Sequence, residues 1–199
     1  MTVHRSLVVI AAVGILLTGC AAEKNAVTPS DSPTARPSAS SVSTGAPEIF
    51  TMPTACANLL PKSRLDAFAH DGLVLLGGPD GLYGDQYLAD ETPEQQAGGI
   101  TCIWGPPDTE ISSVTVSIAP LEVSSRASTI SSLTDQGLNE DVDGDAVYYW
   151  LQGDTDSQPA VVNVIRNDSW ISVIETIGGI DFYDEAEAIA VEVHDLAYS

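Results

Sequence analysis

The sequence predicts an α+β fold: an antiparallel β-sheet of about five to six strands in two meanders, covered by about three helices. Three observations carry this. Val114, Val116 and Ile118 alternate strictly with Thr115 and Ser117, the period of a half-buried strand. Val123, Ala127, Ile130 and Leu133 then recur at helical spacing. Two apolar runs, 160–166 and 170–177, flank Asn167-Asp168, a tight-turn dipeptide that reads as a hairpin.

The elements follow in chain order. A first helix opens at Pro61, a residue suited to the first turn, and places Leu65 and Phe68 on one face. Strands at 73–76 and 101–105 are the expected partners of the 114–118 strand. A second helix spans 122–135 and stops at Gly137. Strands at 147–152, 160–166 and 170–177 follow. A third helix spans 182–197, with Asp181 as N-cap and Asp184 and Glu185 in the first turn. Its buried stripe is Phe182, Ile189, Val193 and Leu196. The order is α-βββ-α-βββ-α, two helix-plus-meander units without sequence identity between them. The Gly- and Pro-rich acidic stretch 77–99 reads as a long loop, disordered or holding a small helix. Structureless loops above roughly 12–15 residues are uncommon in compact domains.

Composition limits the partners. Hydrophobic residues make up 44% of the 199, enough for a packed core. Seven Lys and Arg stand against 28 Asp and Glu, a net charge of −21. Phosphate binding needs clustered Lys and Arg, so nucleic acid is not an expected partner, and neither is a polybasic lipid contact.

The N-terminus is organised differently. His4 and Arg5 precede a short apolar run, Leu7 to Leu17, which ends in Leu17-Thr18-Gly19-Cys20. That is a charged region, a core of signal-peptide length and a small-residue cleavage site. A membrane span needs roughly 18 or more apolar residues. The pattern resembles the lipobox of bacterial lipoproteins. The resemblance implies a signal peptide at 1–19 and a Cys20 that is diacylated, palmitate included, and becomes the mature N-terminus. Two acyl chains give stable anchoring where one is marginal. Residues 20–47 then read as the lipidated Cys and a disordered Ser/Thr/Pro/Ala tether, which O-glycosylation could decorate. Its 27 residues after Cys20 give a reach of roughly 30 Å. Residues 48–199 remain as one globular domain. The expected location is the extracytoplasmic face of the cell membrane.

Cys56 and Cys102 are then an even pair in an exported chain, where a disulfide is the default. Closing the interval stabilises the fold by roughly 4 kcal/mol in the chain-entropy model. A metal site is the weaker alternative, because His70 and His194 lack ligand-pair spacing. Cys56-x-x-Leu59-Leu60-Pro61 followed by Cys102-x-Trp104 resembles uncharacterised lipoproteins of actinobacterial envelopes, with a PsbP-like α+β domain. That resemblance implies the fold and carries no catalytic residue across.

Residues that could carry chemistry are few. Asn139, Asp141, Asp143 and Gly144 match the start of a calcium loop. Position twelve falls on Trp150 instead of a bidentate Glu, so this is a weak calcium candidate, and no metal or cofactor is expected. Nucleophilic catalysis lacks support: there is no G-x-S-x-G, no phosphate loop and no His beside a nucleophile. Trp104, Tyr148, Trp150 and Trp170 are binding candidates if they gather on an exposed strand face, and core if they lie under helices.

The leading expectation is a lipid-anchored, non-enzymatic binding or interaction module of the envelope, its partner an envelope protein or glycan. The alternative is a small-molecule or lipid carrier with a pocket between sheet and helices, closed by the 77–99 loop. A hydrolase ranks third.

Overall fold

A computed structural model describes residues 48–108 and 111–198. The expected signal peptide (1–19), Cys20 and tether (20–47) lie outside the described residues. The elements are α1 (Lys62–His70), β1 (Val74–Gly77), α2 (Pro93–Gln96), β2 (Ile100–Gly105), β3 (Val114–Pro120) and α3 (Val123–Asp135). Then come β4 (Asn139–Asp143), β5 (Ala146–Leu151), β6 (Ala160–Ile165), β7 (Ser169–Glu175) and α4 (Ile180–Ala197). One antiparallel sheet of seven strands runs in the order β1-β2-β3-β7-β6-β5-β4. The fold is α+β, with more strands than the sequence predicts.

The first meander is β1-β2-β3. The chain then crosses through α3 to the far edge and returns as a four-stranded meander that closes on β3 through β7. β1 therefore pairs with β2, and the second partner of β3 is β7, not the 73–76 strand. The extra strand is β4. Its residues NEDVD are all exposed, so no apolar alternation marks it, and pairing with β5 alone makes it a strand. The 77–99 segment carries a 3-10 turn at Gly84–Tyr87 and the short helix α2. Thr92 and Gln95 form a reciprocal capping box that starts α2, with Pro93 in its first turn.

The sheet has two covered faces. On the first, Val116, Val162, Val164, Ile171 and Val173 pack against Ile189, Ala190 and Val193 of α4 and Phe68 of α1. Fully burying each such large side chain contributes roughly 1.5–3 kcal/mol. The stripe of α4 departs from expectation. Leu196 is exposed, and Ala186, Ala190 and Ala197 take the inner positions, letting the helix lie close to the sheet. Gly179 precedes the helix as its N-cap, and Asp181 lies inside the first turn. On the second face, Leu133 and Ile130 of α3 cover Tyr149, Ile165 and Trp170. The expected α3 stripe is only half used: Val123 is 86% exposed and Ala127 is also exposed.

Cys56 and Cys102 form a disulfide, with an Sγ–Sγ distance of 2.06 Å. It ties the segment before α1 to the centre of β2 inside the first core. Gly78 lies against it with φ of +96°, and a Cβ there would stand 3.0 Å from Cys56 Sγ and 2.2 Å from the Thr101 carbonyl oxygen. Only glycine fits that approach.

Candidate functional site

The strand period separates the four aromatic candidates. Tyr148 and Trp150 are two apart on β5 and share the face covered by α4. Trp104 is on that face too, but it is 4% exposed and packs its ring on Phe68 at 5.4 Å. Trp170 lies on the opposite face, buried, its Nε1 donating to Asn163 Oδ1 at 2.9 Å. Trp104 and Trp170 are therefore core residues, and the candidate set reduces to Tyr148 and Trp150.

These two line a groove of 450 Å³ between the β4–β5 edge and the N-terminal half of α4. Tyr183, from α4, brings its ring to 5.3 Å from that of Trp150 at an interplanar angle of 54°. Asp141, Asp143, Asp184 and Glu187 supply carboxylates, and among the described residues no Lys, Arg or His lines the groove. Sheet geometry puts Asp141 directly across from Tyr148. Helix geometry puts Tyr183 and Glu187 one turn apart, and the Tyr183 hydroxyl donates to Glu187 Oε1 at 2.6 Å. Burial, and then the Glu187 carboxylate, push the Tyr183 phenol above its ordinary pKa, so it stays a neutral donor. Sequence reasoning missed Tyr183, Asp184 and Glu187. Their i, i+1, i+4 spacing on an outward helix face was the available signal, hidden because they read as a first turn rich in acids.

Asn139, Asp141 and Asp143 lie in extended β4 rather than in a loop. An extended strand does not wrap its residues around an ion as the turns of a calcium loop do. The two-residue turn Gly144-Asp145 joins β4 to β5, with Gly144 at φ of +63°. The calcium reading loses its geometry, and two of its three residues become groove walls. Asp154, in the turn between β5 and β6, accepts at Oδ1 from the backbone N–H groups of Asp156 and Ser157, at 2.9 and 2.6 Å. Those bonds hold its carboxyl below the usual range. Among the described residues no group of three or more His, Cys, Asp and Glu could hold a metal ion.

Much of the space between sheet and helices, where the alternative reading puts a carrier pocket, is packed by the two apolar cores. A hollow of 640 Å³ lies on the 77–99 loop itself, lined by Tyr83, Gln86, Tyr87 and Leu88 with Ile111 and Ser112. His70 ends α1 and His194 lies in the last turn of α4, where its Nδ1 meets the Asp195 carboxylate rather than a hydroxyl or thiol. Two carboxyls are buried among the described residues: Glu94 in α2, and Glu175, which sits near Glu185 and Arg64. Neither lines the hollows named above.

No protein-family model matches the chain, and no curated protein or solved structure matches it either. Among the described residues no helix is long and apolar enough to cross a membrane.

Proposed function

We propose that the domain is a non-enzymatic binding module that captures cationic groups of an envelope partner in the groove between β5 and α4. One observation carries the reading: three aromatic rings and four carboxylates line one open groove, and no described residue of its lining is positively charged. A ring face attracts an ammonium or guanidinium group by about 0.5–2 kcal/mol, more as water is excluded. Surrounding carboxylates raise the local concentration of cations and speed encounter. The net charge of −21 extends that attraction beyond the groove. A neutral glycan is a poorer fit. Trp150 and Tyr183 meet at an angle and do not form one flat stacking platform, and sugar hydroxyls gain little from four carboxylates.

The lipobox resemblance supports a place for this activity. A diacylated Cys20 would hold the module at the extracytoplasmic face of the membrane, with the tether entering the domain at Glu48. The Cys56–Cys102 disulfide suits an oxidising compartment.

The test is a titration of the full chain with the peptide Ac-Ala-Lys-Ala-NH2, followed by tryptophan fluorescence. Binding should weaken at least fivefold in Trp150→Ala and fall as salt rises, since screening acts on the carboxylates. A peptide that binds equally well with norleucine in place of lysine would overturn the reading.

A further inference from the structure

The groove does not end at Val191. A second hollow of 190 Å³ continues along α4, and it shares Tyr148 and Val191 with the first. Its other walls include Arg166 and His194, and no carboxylate among the described residues lines it. The two hollows share walls along the helix: carboxylates line the α4 N-terminal end, and Arg166 and His194 line the C-terminal end, where Asp145 lies 2.7 Å from Arg166 and Asp195 and Glu48 lie 3.3 and 4.0 Å from His194.

Two observations mark this C-terminal end as a place for an acceptor. Arg166 Nε and His194 Nε2 are two of the three buried side-chain polar atoms without a hydrogen-bond partner among the described residues. Buried polar groups are otherwise almost always paired, so each such atom calls for an explanation. Arg166 is held by one ring and one exposed carboxylate, its Cζ lying 5.8 Å from the centroid of Tyr198. Its NH1 donates to Asp145 Oδ1 at 2.7 Å, but the Asp145 side chain is 64% exposed. Exposed ion pairs contribute little, so a ligand carboxylate can take the place of Asp145.

Resting on the groove reading, we propose that the two hollows together take the C-terminal residue of a peptide that ends in lysine or arginine. The side-chain cation lies among Trp150, Tyr183 and Glu187, and the terminal carboxylate reaches Arg166 beside His194. The aliphatic stem lies against Tyr148 and Val191, as long charged side chains commonly lie on apolar surface. The dimensions agree. Glu187 and His194 are seven residues apart on one helix, about 10 Å along its axis. An extended lysine or arginine with a hydrogen bond at each end spans that distance, whereas a choline-phosphate headgroup, with only a two-carbon bridge between its charges, is too short. Net charge argues the same way. A purely anionic ligand would be repelled by the acidic domain, while a residue carrying both signs is drawn in by its cation and oriented by its anion.

Three peptides test this on the full chain: Ac-Ala-Ala-Lys-OH, its C-terminal amide, and Ac-Ala-Ala-norleucine-OH. The free acid of lysine should bind at least tenfold more tightly than the amide, and the norleucine acid should bind weakest. Arg166→Gln should erase the difference between acid and amide. If acid and amide bind the wild-type chain equally, this inference falls and the cation groove stands. If neither lysine peptide binds, both fall. The acid–amide comparison needs no variant, so it decides the matter even if Arg166→Gln folds poorly.

Discussion

Replacing Glu175 with Gln should stabilise the domain, and by an amount that grows with pH. Glu175 lies on β7 between Val114 and Ala160, only 4% exposed, and its Oε1 has no hydrogen-bond partner among the described residues. The cation that acts on it is Arg64 of α1, but that guanidinium is already spoken for. It bonds Glu192 through Nε and NH2, each at 2.9 Å, and Glu185 through NH1 at 2.8 Å. Two carboxylates on one guanidinium leave the cluster net negative before Glu175 is counted. Burial therefore raises the Glu175 pKa from 4.5 to about 8, with Glu185 adding to the rise and Arg64 opposing it.

The sign follows from proton counting. Between pH 4.5 and 8 the folded chain holds a proton that the unfolded chain has released, so stability falls as pH rises through that window and is level above it. At pH 7 the unfolded group has gone about 2.5 units past its pKa, a cost on the order of 3 kcal/mol. Gln has the shape of the protonated acid and no proton to lose. Glu175→Gln and wild type should be similar in stability near pH 4.5, and the variant should be ahead by on the order of 3 kcal/mol at pH 7 to 8. Urea unfolding of both proteins at pH 4.5, 6, 7 and 8 measures the difference, in which most other titrations cancel. A difference that stays constant across that range would refute the reasoning.

Other outcomes can be measured alongside. Cys56→Ser with Cys102→Ser should cost about 4 kcal/mol, a drop of roughly 10 °C in Tm by thermal unfolding. Gly78→Ala should cost about 2 kcal/mol or more by urea unfolding, because its Cβ would press on the Thr101 carbonyl and the disulfide in a conformation glycine alone tolerates. Trp170→Phe should lose about 1–3 kcal/mol in the same assay, since Asn163 Oδ1 would be left buried without its donor. Mass spectrometry of the mature protein should find Cys20 first and carrying lipid; an unmodified chain starting elsewhere would remove the anchor.

The legible parts of the fold were those with one apolar face. β3, β6 and β7 and the α1, α3 and α4 helices all declare themselves by spacing. β4 stayed hidden because an edge strand needs no apolar side at all, and its acids are what keeps an edge from pairing with other chains. The inner positions of α4 were misjudged for a related reason. Periodicity favours the largest apolar residue, Leu196, while close helix–sheet approach selects the alanines beside it. The second face of the sheet was unreadable in another way. Thr101, Ser117, Ser172, Asn163 and Tyr149 form a row across five strands, polar in type and yet buried. Alternation marks such positions as outward-facing. They are buried because α2 and α3 cover them, and Thr101 satisfies its hydroxyl with Ser117 and Thr92 at 2.9 and 2.7 Å.

The groove was half legible for the same physical reason that makes it a groove. Tyr148 and Trp150 share a face by strand period alone, so their pairing needed no coordinates. What they face is a tertiary fact: the chain leaves β7 at Glu175, turns through Gly178-Gly179 and lays α4 back across β6 and β7, short of β4 and β5. α4 thus covers the middle of the sheet, and the outer strands extend past it. Apolar residues fill the covered part, while Tyr148 and Trp150, at the margin, meet the side of the helix instead of its base. Residues placed there have one wall of sheet, one wall of helix and an open top. Large rings can be half-buried at that margin without collapsing it, because Tyr183 props against Trp150 and is itself held by Glu187. The same overhang explains why acids accumulate at this edge: β4 must stay charged to remain unpaired, and on the groove side those charges become the electrostatic lining that a cationic ligand meets first.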